Sequence, residues 1–242
     1  MTTGAGNEVG AALLRAGVYG LLAEAFCYPA PGSLKALENR WDCLLGWNGE
    51  WPDAIRDDLA GALADLQGAD PAHLAGEYVR LFGPAACCPL TETSWGDAAR
   101  LLGKAAQIAD ISGFYHAFKV EPRTKADAVP EDHLAVELEF MSILSLKEAY
   151  AINAGLGEEL EITRDARNKF LEEHLAAWID GWAGFLDEYA PAPFYRALAS
   201  SLLRVIHAET ARLGITPFPI HARLADPEAG SDTFVCPHAA AP

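Results

Sequence analysis

The sequence predicts an all-α protein, a single-domain bundle of about eight helices with no significant sheet. Apolar residues recur at three- and four-residue steps through most of the 242 residues, while strand-like alternation is nearly missing. The periodic segments are punctuated as helices are, with Pro in first turns and Gly or Pro after last turns. Apolar residue types make up 51% of the chain, enough to fill one core behind those faces.

The first helix is predicted over 7–27, with Val9, Leu13, Leu14, Val18, Leu21, Leu22 and Phe26 on one face, and Tyr28-Pro29-Ala30-Pro31-Gly32 stops it. Ser33 is the predicted N-cap of a second helix reaching about Trp47. Pro52 falls in the first turn of a third helix that ends by Gly68. Asp70-Pro71 opens a fourth, carrying Leu74, Tyr78, Leu81 and Phe82 up to Gly83-Pro84. An aperiodic stretch over 83–93 follows, then a fifth helix capped by Ser94 that runs through Leu101, Leu102, Ile108 and Ile111. Residues 113–129 read as a long connection, a length that tends to be functional inside a compact domain. Pro130 is predicted to open a sixth helix ending near Asn153, and two more cover roughly 160–189 and 193–213. Residues 1–214 are expected to form one all-helical domain, and 215–242, rich in Pro, Ala and Gly, a partly mobile tail.

The charge balance, 18 Lys and Arg against 34 Asp and Glu, is −16, which repels phosphate backbones and disfavours nucleic acid while attracting a cationic peptide. Five cysteines, an odd number with no C-x-x-C spacing, fit a reducing compartment better than a disulfide framework. No basic start followed by an apolar run marks a secretory signal, and charges interrupt every apolar run before it could span a bilayer. The expectation is a cytoplasmic protein without membrane insertion.

Signatures of catalysis are missing. There is no phosphate-cradling G-x-x-x-x-G-K-[ST] loop, no G-x-S-x-G turn and no H-E-x-x-H. The positions three before the seven histidines hold Asp70, Gly113, Pro130, Leu171, Arg204, Phe218 and Val235; with no glutamate among them, a di-iron carboxylate bundle is excluded. Cys87-Cys88 and Cys236-Pro237-His238 offer metal-binding atom types, but in no known ligand spacing. The expectation is no metal, no cofactor and no enzyme activity.

Two segments stand out. In Glu77-Tyr78-Val79-Arg80-Leu81-Phe82, Tyr78, Leu81 and Phe82 share one helical face, either as ordinary core or as the apolar wall of a groove for an amphipathic segment. In Pro130-Glu131-Asp132-His133 leading to Glu137, the acids complement a helix start. His133 and Glu137, four apart, are expected to touch and so raise the imidazole pKa. A hydrolase using Asp132 and His133 as acid and base, and a binding protein for a small hydrophobic ligand, remain the alternatives.

These two segments, in this order and with a Ser94-Trp95 element between them, resemble the TorD/DmsD/NarJ family of redox-enzyme maturation chaperones. Phe170-Leu171-Glu172-Glu173-His174-Leu175 and Pro193-Phe194-Tyr195-Arg196 are also similar to that family. The resemblance implies a cytoplasmic chaperone that binds the twin-arginine signal peptide and the apo catalytic subunit of a molybdopterin oxidoreductase. It would assist cofactor insertion and prevent premature export. Carried onto this sequence, it implies peptide binding through Tyr78, Leu81, Phe82, Trp95, Pro130, Asp132 and His133, with Glu137 beside them. Asp132→Ala and His133→Ala are expected to weaken leader binding with helicity intact. The chain is expected to be a monomer or a domain-swapped dimer.

Overall fold

The computed structural model describes residues 3–30, 32–47, 53–83, 86–95, 101–120, 129–189 and 193–217. The helices are α1 (Thr3–Ala25), α2 (Ser33–Leu45), α3 (Asp53–Gln67), α4 (Pro71–Phe82), α5 (Leu101–Ala117), α6 (Leu134–Ala154), α7 (Gly157–Phe170), α8 (Ala176–Tyr189) and α9 (Pro193–Leu213). A 3-10 turn, Glu92–Ser94, lies between α4 and α5, and a π turn, Leu171–Leu175, joins α7 to α8 into one continuous rod. Eight helical rods with no strand among the described residues is the predicted fold class; the only pairing of extended backbone there is an isolated antiparallel bridge between Thr91 and His133. No described helix is long and apolar enough to cross a membrane.

The centre of the molecule is α6, which buries residues on every side, from Leu134 and Leu138 to Phe140, Met141 and Leu144. Its most extensive neighbour is α1; α3 packs on α9, α7 on α6, and α8 on α9. The close approach of α1 and α6 depends on Gly20, where a Cβ would stand 3.2 Å from the Ser142 hydroxyl. That hydroxyl donates to the Ala16 carbonyl at 2.8 Å. Trp41, Trp178, Trp182, Tyr19, Phe26, Phe140 and Phe170 fill the core. One buried polar junction crosses it: Glu148 of α6 accepts from Arg15 of α1 at 2.6 Å, from Arg164 at 2.8 Å and from Arg167, the last two on α7. Glu148 and Arg167 are both buried, so the charges neutralise one another inside the bundle.

Three sequence expectations need correction. Helix α5 runs on to Ala117, into the first residues of the 113–129 stretch expected to be a connection. The glycine at 113 disfavours helix by about 1 kcal/mol, and this is outweighed because the next turn buries Tyr115 against Phe140 and Phe170. Ser94 does not cap α5; it sits in the 3-10 turn with its hydroxyl 2.6 Å from that of Thr91. Pro130 does not open α6, which starts at Leu134 with His133 as N-cap. Residues 130–132 cannot be helical because the Asp132 carbonyl accepts from the Glu92 amide at 2.9 Å, pairing this backbone with the segment after α4. Pro52, Pro84, residues 121–128, and the expected tail from 218 onward, with Cys236 and His238, lie outside the described residues.

Candidate functional site

The apolar half of the site begins with the capping of α4. Asp70 accepts from the His73 amide at 3.0 Å and Pro71 fills the first turn, so α4 starts where the sequence predicts. Its last turn then presents Tyr78, Leu81 and Phe82. Leu81 is fully buried; Tyr78 and Phe82 are half-buried. The Tyr78 hydroxyl donates to the Phe26 carbonyl at 3.1 Å, and burial pushes its pKa well above the ordinary phenol value. Its ring meets Tyr28 edge-on at 5.5 Å and Phe82 at 5.1 Å, and Phe82 meets Tyr195 at 5.4 Å. Tyr28 is 50% exposed and Val79 54%, so this cluster opens to the surface as an aromatic ledge. Beside it lies an apolar notch of about 50 Å³, lined by Tyr28, Leu34, Leu37, Phe194 and Tyr195, with Glu24 at its edge. Tyr28 and Tyr195 were not singled out from sequence as site residues, because they come from the turn after α1 and from α9 and no local spacing connects them to α4.

Residues 86–95 form a strap from this ledge to the start of α6. The Cys88 amide donates to the Leu81 carbonyl at 3.0 Å, the Glu92 amide to Asp132, and the Leu134 amide to the Leu90 carbonyl at 2.7 Å. Asp132 is 2% exposed, and its Oδ2 accepts from the Thr93 amide at 3.2 Å and the Thr93 hydroxyl at 2.5 Å. His133 is half-buried and caps α6, its Nδ1 accepting from the Ala135 amide at 3.1 Å. Burial pushes the His133 pKa down to about 4 against the weaker opposing pull of Asp132. This corrects the expected contact with Glu137: Glu137 turns into the core, fully buried, where its Oε2 accepts from the Trp178 indole at 3.3 Å. Pro130 is exposed. Trp95 is fully buried, donates to the Pro89 carbonyl at 3.0 Å and stacks on Trp178, fixing the strap to α8. The strap therefore links the two sequence segments, although no hydrogen bond or ring contact joins Tyr78 or Phe82 directly to Asp132 or His133 among the described residues.

Behind the strap lies a buried polar cluster. Glu92, fully buried, accepts from the Gln107 side chain, and its Oε1 lies 3.2 Å from Nδ1 of His174. Burial works against the His174 imidazolium, but Glu92 and Asp110 outweigh it and raise its pKa. The second oxygen of Glu92 and Oε1 of Glu137 are both buried with no other donor among the described residues. A proton held by Glu137 and shared with Glu92 satisfies both, and burial followed by the Glu92 charge holds the Glu137 carboxyl well above its usual range. Of the sequence-level metal candidates, Cys87 and Cys88 have sulfurs 3.7 Å apart, and burial pushes the Cys88 thiol up to about 12. A thiol that resists ionisation is a poor metal ligand. Asp132 and Nδ1 of His133 are both engaged in holding backbone and do not form an acid–base pair.

Residues 48–184 match the family described as nitrate reductase delta subunit. The chain is similar to the selenate reductase assembly chaperone protein of Thauera selenatis, 32% identical over 113 residues that cover 47% of this chain and 56% of that protein. It is 29% identical over 171 residues to the chlorate reductase assembly chaperone protein of Ideonella dechloratans, covering 69% and 84%. Against the chaperone protein TorD of Vibrio cholerae it is 27% identical over 115 residues, covering 48% and 50%. The chain thus spans about half the length of two of these three relatives. A crystal structure from Archaeoglobus fulgidus, assigned as a redox enzyme maturation protein, shares the fold with a TM-score of 0.50 and 18% identity, covering 79% of this chain and 93% of that one.

Proposed function

The chain belongs to the nitrate reductase delta subunit family, that of the TorD-type redox-enzyme maturation chaperones, and from this we propose a system-specific chaperone for one molybdopterin oxidoreductase. It acts in the cytoplasm, binds the twin-arginine signal peptide and the apo catalytic subunit, assists cofactor insertion and delays export until the enzyme is loaded. The observation that supports this most is the half-open ledge of Tyr28, Tyr78 and Phe82 on a chain of charge −16. A twin-arginine leader is cationic and then apolar, so net charge draws it in and aromatic surface receives its apolar stretch.

The proposed peptide-binding region is Tyr78, Leu81, Phe82, Trp95, Pro130, Asp132, His133 and Glu137, with Tyr28 added. Tyr28, Tyr78, Phe82, Pro130 and His133 have surface to offer a peptide. Leu81, Trp95, Asp132 and Glu137 are buried and hold the ledge and strap in shape; an arginine reaches Asp132 only if the strap, with Thr93, lifts away from it. The rival reading as a binder of a small hydrophobic ligand finds less support, because the apolar notch of about 50 Å³ falls far below the ~300–1,000 Å³ of small-molecule sites.

Calorimetry with a cognate leader peptide tests the reading. Tyr28→Ser and Phe82→Ala should each weaken binding by about tenfold, the loss of roughly 1.4 kcal/mol of buried aromatic contact. Tyr150→Ser, at an exposed tyrosine on α6, should not. Rising salt should weaken binding further. Wild-type affinity in both ledge variants would refute the ledge as the leader site.

A further inference from the structure

We propose that Asp110, Glu173 and His174 form a binding site for a divalent first-row transition-metal ion of the Zn²⁺ type. The proposal does not rest on the leader-peptide reading and uses none of its residues.

The site lies where α5 faces the π turn, in an open cleft of about 640 Å³ lined by Gln107, Asp110, Glu173 and His174 together with two alanines. One carboxylate oxygen each from Asp110 and Glu173 and one ring nitrogen of His174 lie within 4.8 Å of one another. Ligands about 2.0–2.2 Å from a shared ion stand roughly 3–3.5 Å apart. Asp110 and Glu173 are exposed and free to swing, so a small side-chain rotation closes that difference.

His174 separates this group from an ordinary acidic patch. The residue is 3% exposed, yet among the described residues its Nε2 makes no hydrogen bond, and Oδ2 of Asp110 is 3.4 Å away across the cleft. The ring is fixed from behind: Phe170 and Phe114 pack on it at 5.0 and 5.6 Å, and Glu92 holds Nδ1. Glu92 is itself held by Gln107. A carboxylate on one imidazole nitrogen, with the other aimed outward, is the outer-shell arrangement that orients a metal-binding histidine and strengthens it as a donor. The π turn supplies the geometry, since its extra residue places Glu173 and His174 side by side at the cleft. One imidazole and two carboxylates favour Zn²⁺, Mn²⁺ or Co²⁺ over Mg²⁺ and Ca²⁺, which prefer oxygen-only sets, and over Cu⁺, which prefers sulfur. Three protein ligands leave further coordination positions to water.

The test titrates the untagged full-length chain with Co²⁺, read by its visible d–d absorption, and repeats the titration with Zn²⁺ by calorimetry. One equivalent should bind. Losing an outer-shell partner alone costs roughly 10–100-fold in metal affinity. Asp110→Asn and Glu173→Gln, which remove direct ligands, should therefore each weaken binding by at least about tenfold without changing the thermal melt. His174→Ala should abolish binding; the two exposed variants keep the test valid if that one folds poorly. Absence of saturable binding by the wild-type chain overturns the proposal, as does unchanged affinity in both exposed variants. An intense thiolate charge-transfer band that survives in them would put the ion on cysteine and also overturn it.

Discussion

Glu137→Gln should alter how stability depends on pH in a calculable way. Glu137 is fully buried, takes the Trp178 indole on one oxygen and faces Glu92 with the other. Burial first, and then the charge of Glu92, raise its pKa well above the ordinary value. The folded chain therefore keeps a proton that the unfolded chain releases above about pH 4.3. The sign follows: the stability this proton contributes is complete below that pH and is lost as pH rises toward the raised folded pKa. The rate of loss is about 1.4 kcal/mol per pH unit. Glutamine has the shape of the protonated acid, can donate to Glu92 and does not ionise, so the variant loses this slope. Urea unfolding followed by tryptophan fluorescence, at steps between about pH 5 and 7, measures the difference in unfolding free energy between variant and wild type. That difference should climb in favour of the variant by about 1.4 kcal/mol per unit. Parallel curves would mean that Glu137 ionises normally, and the shared-proton arrangement behind the strap would be wrong.

Other substitutions probe other parts of the molecule. His133→Asn keeps a side-chain acceptor at the α6 N-cap but removes a histidine whose pKa is pushed down to about 4. Wild type should lose about 3 kcal/mol as pH falls from 6.5 toward 4, a loss the variant is spared, visible as a lower acid midpoint in circular dichroism. Glu148→Ala strands the buried Arg167 and should cost roughly 3–5 kcal/mol, or about 6–20 °C in Tm by calorimetry. Asp132→Ala leaves the buried Thr93 amide and hydroxyl without their acceptor, at about 1–3 kcal/mol for each orphaned group. It should melt early even though its helicity at room temperature is normal, so any loss of leader binding must be read beside its Tm.

The helices were legible in the sequence wherever their punctuation is local. Asp70-Pro71 announces α4, and Gly155, at φ +70°, ends α6 in the left-handed region that glycine favours. The sixth helix could not be bounded this way. Pro130 has the look of a first turn, but the backbone just after it is held extended by the bridge between Thr91 and His133, which lie some forty residues apart. The same long-range pairing hid the roles of Asp132 and Glu137. Asp132 read as part of a routine acidic helix start and Glu137 as a partner for His133, and only the fold shows one bound to Thr93 and the other facing Glu92. Of the ledge, Tyr78 and Phe82 were visible as one helical face, while Tyr28 and Tyr195 were not, because the 3.6-residue period of α4 carries no information about rings from the turn after α1 and from α9. His174 stood out only as part of a family-like segment: it falls inside an apolar repeat, and the unpartnered Nε2 beside Asp110 appears only in three dimensions.

The π turn at Leu171–Leu175 has a bearing on which sequence changes the rod can absorb. A wider turn holds one more residue than an α turn would, and each residue rotates a helix by about 100°. Removing one residue from 171–175 would let the rod close into regular α-helix with both flanks still in phase, so Trp178, Ile179 and Trp182 would go on facing the core. Removing one residue from the regular turns of α7 or α8 would instead rotate the two halves against each other by about 100°. This joint is therefore where the rod absorbs a one-residue change of length most readily, at the expense of the way Glu173 and His174 are presented.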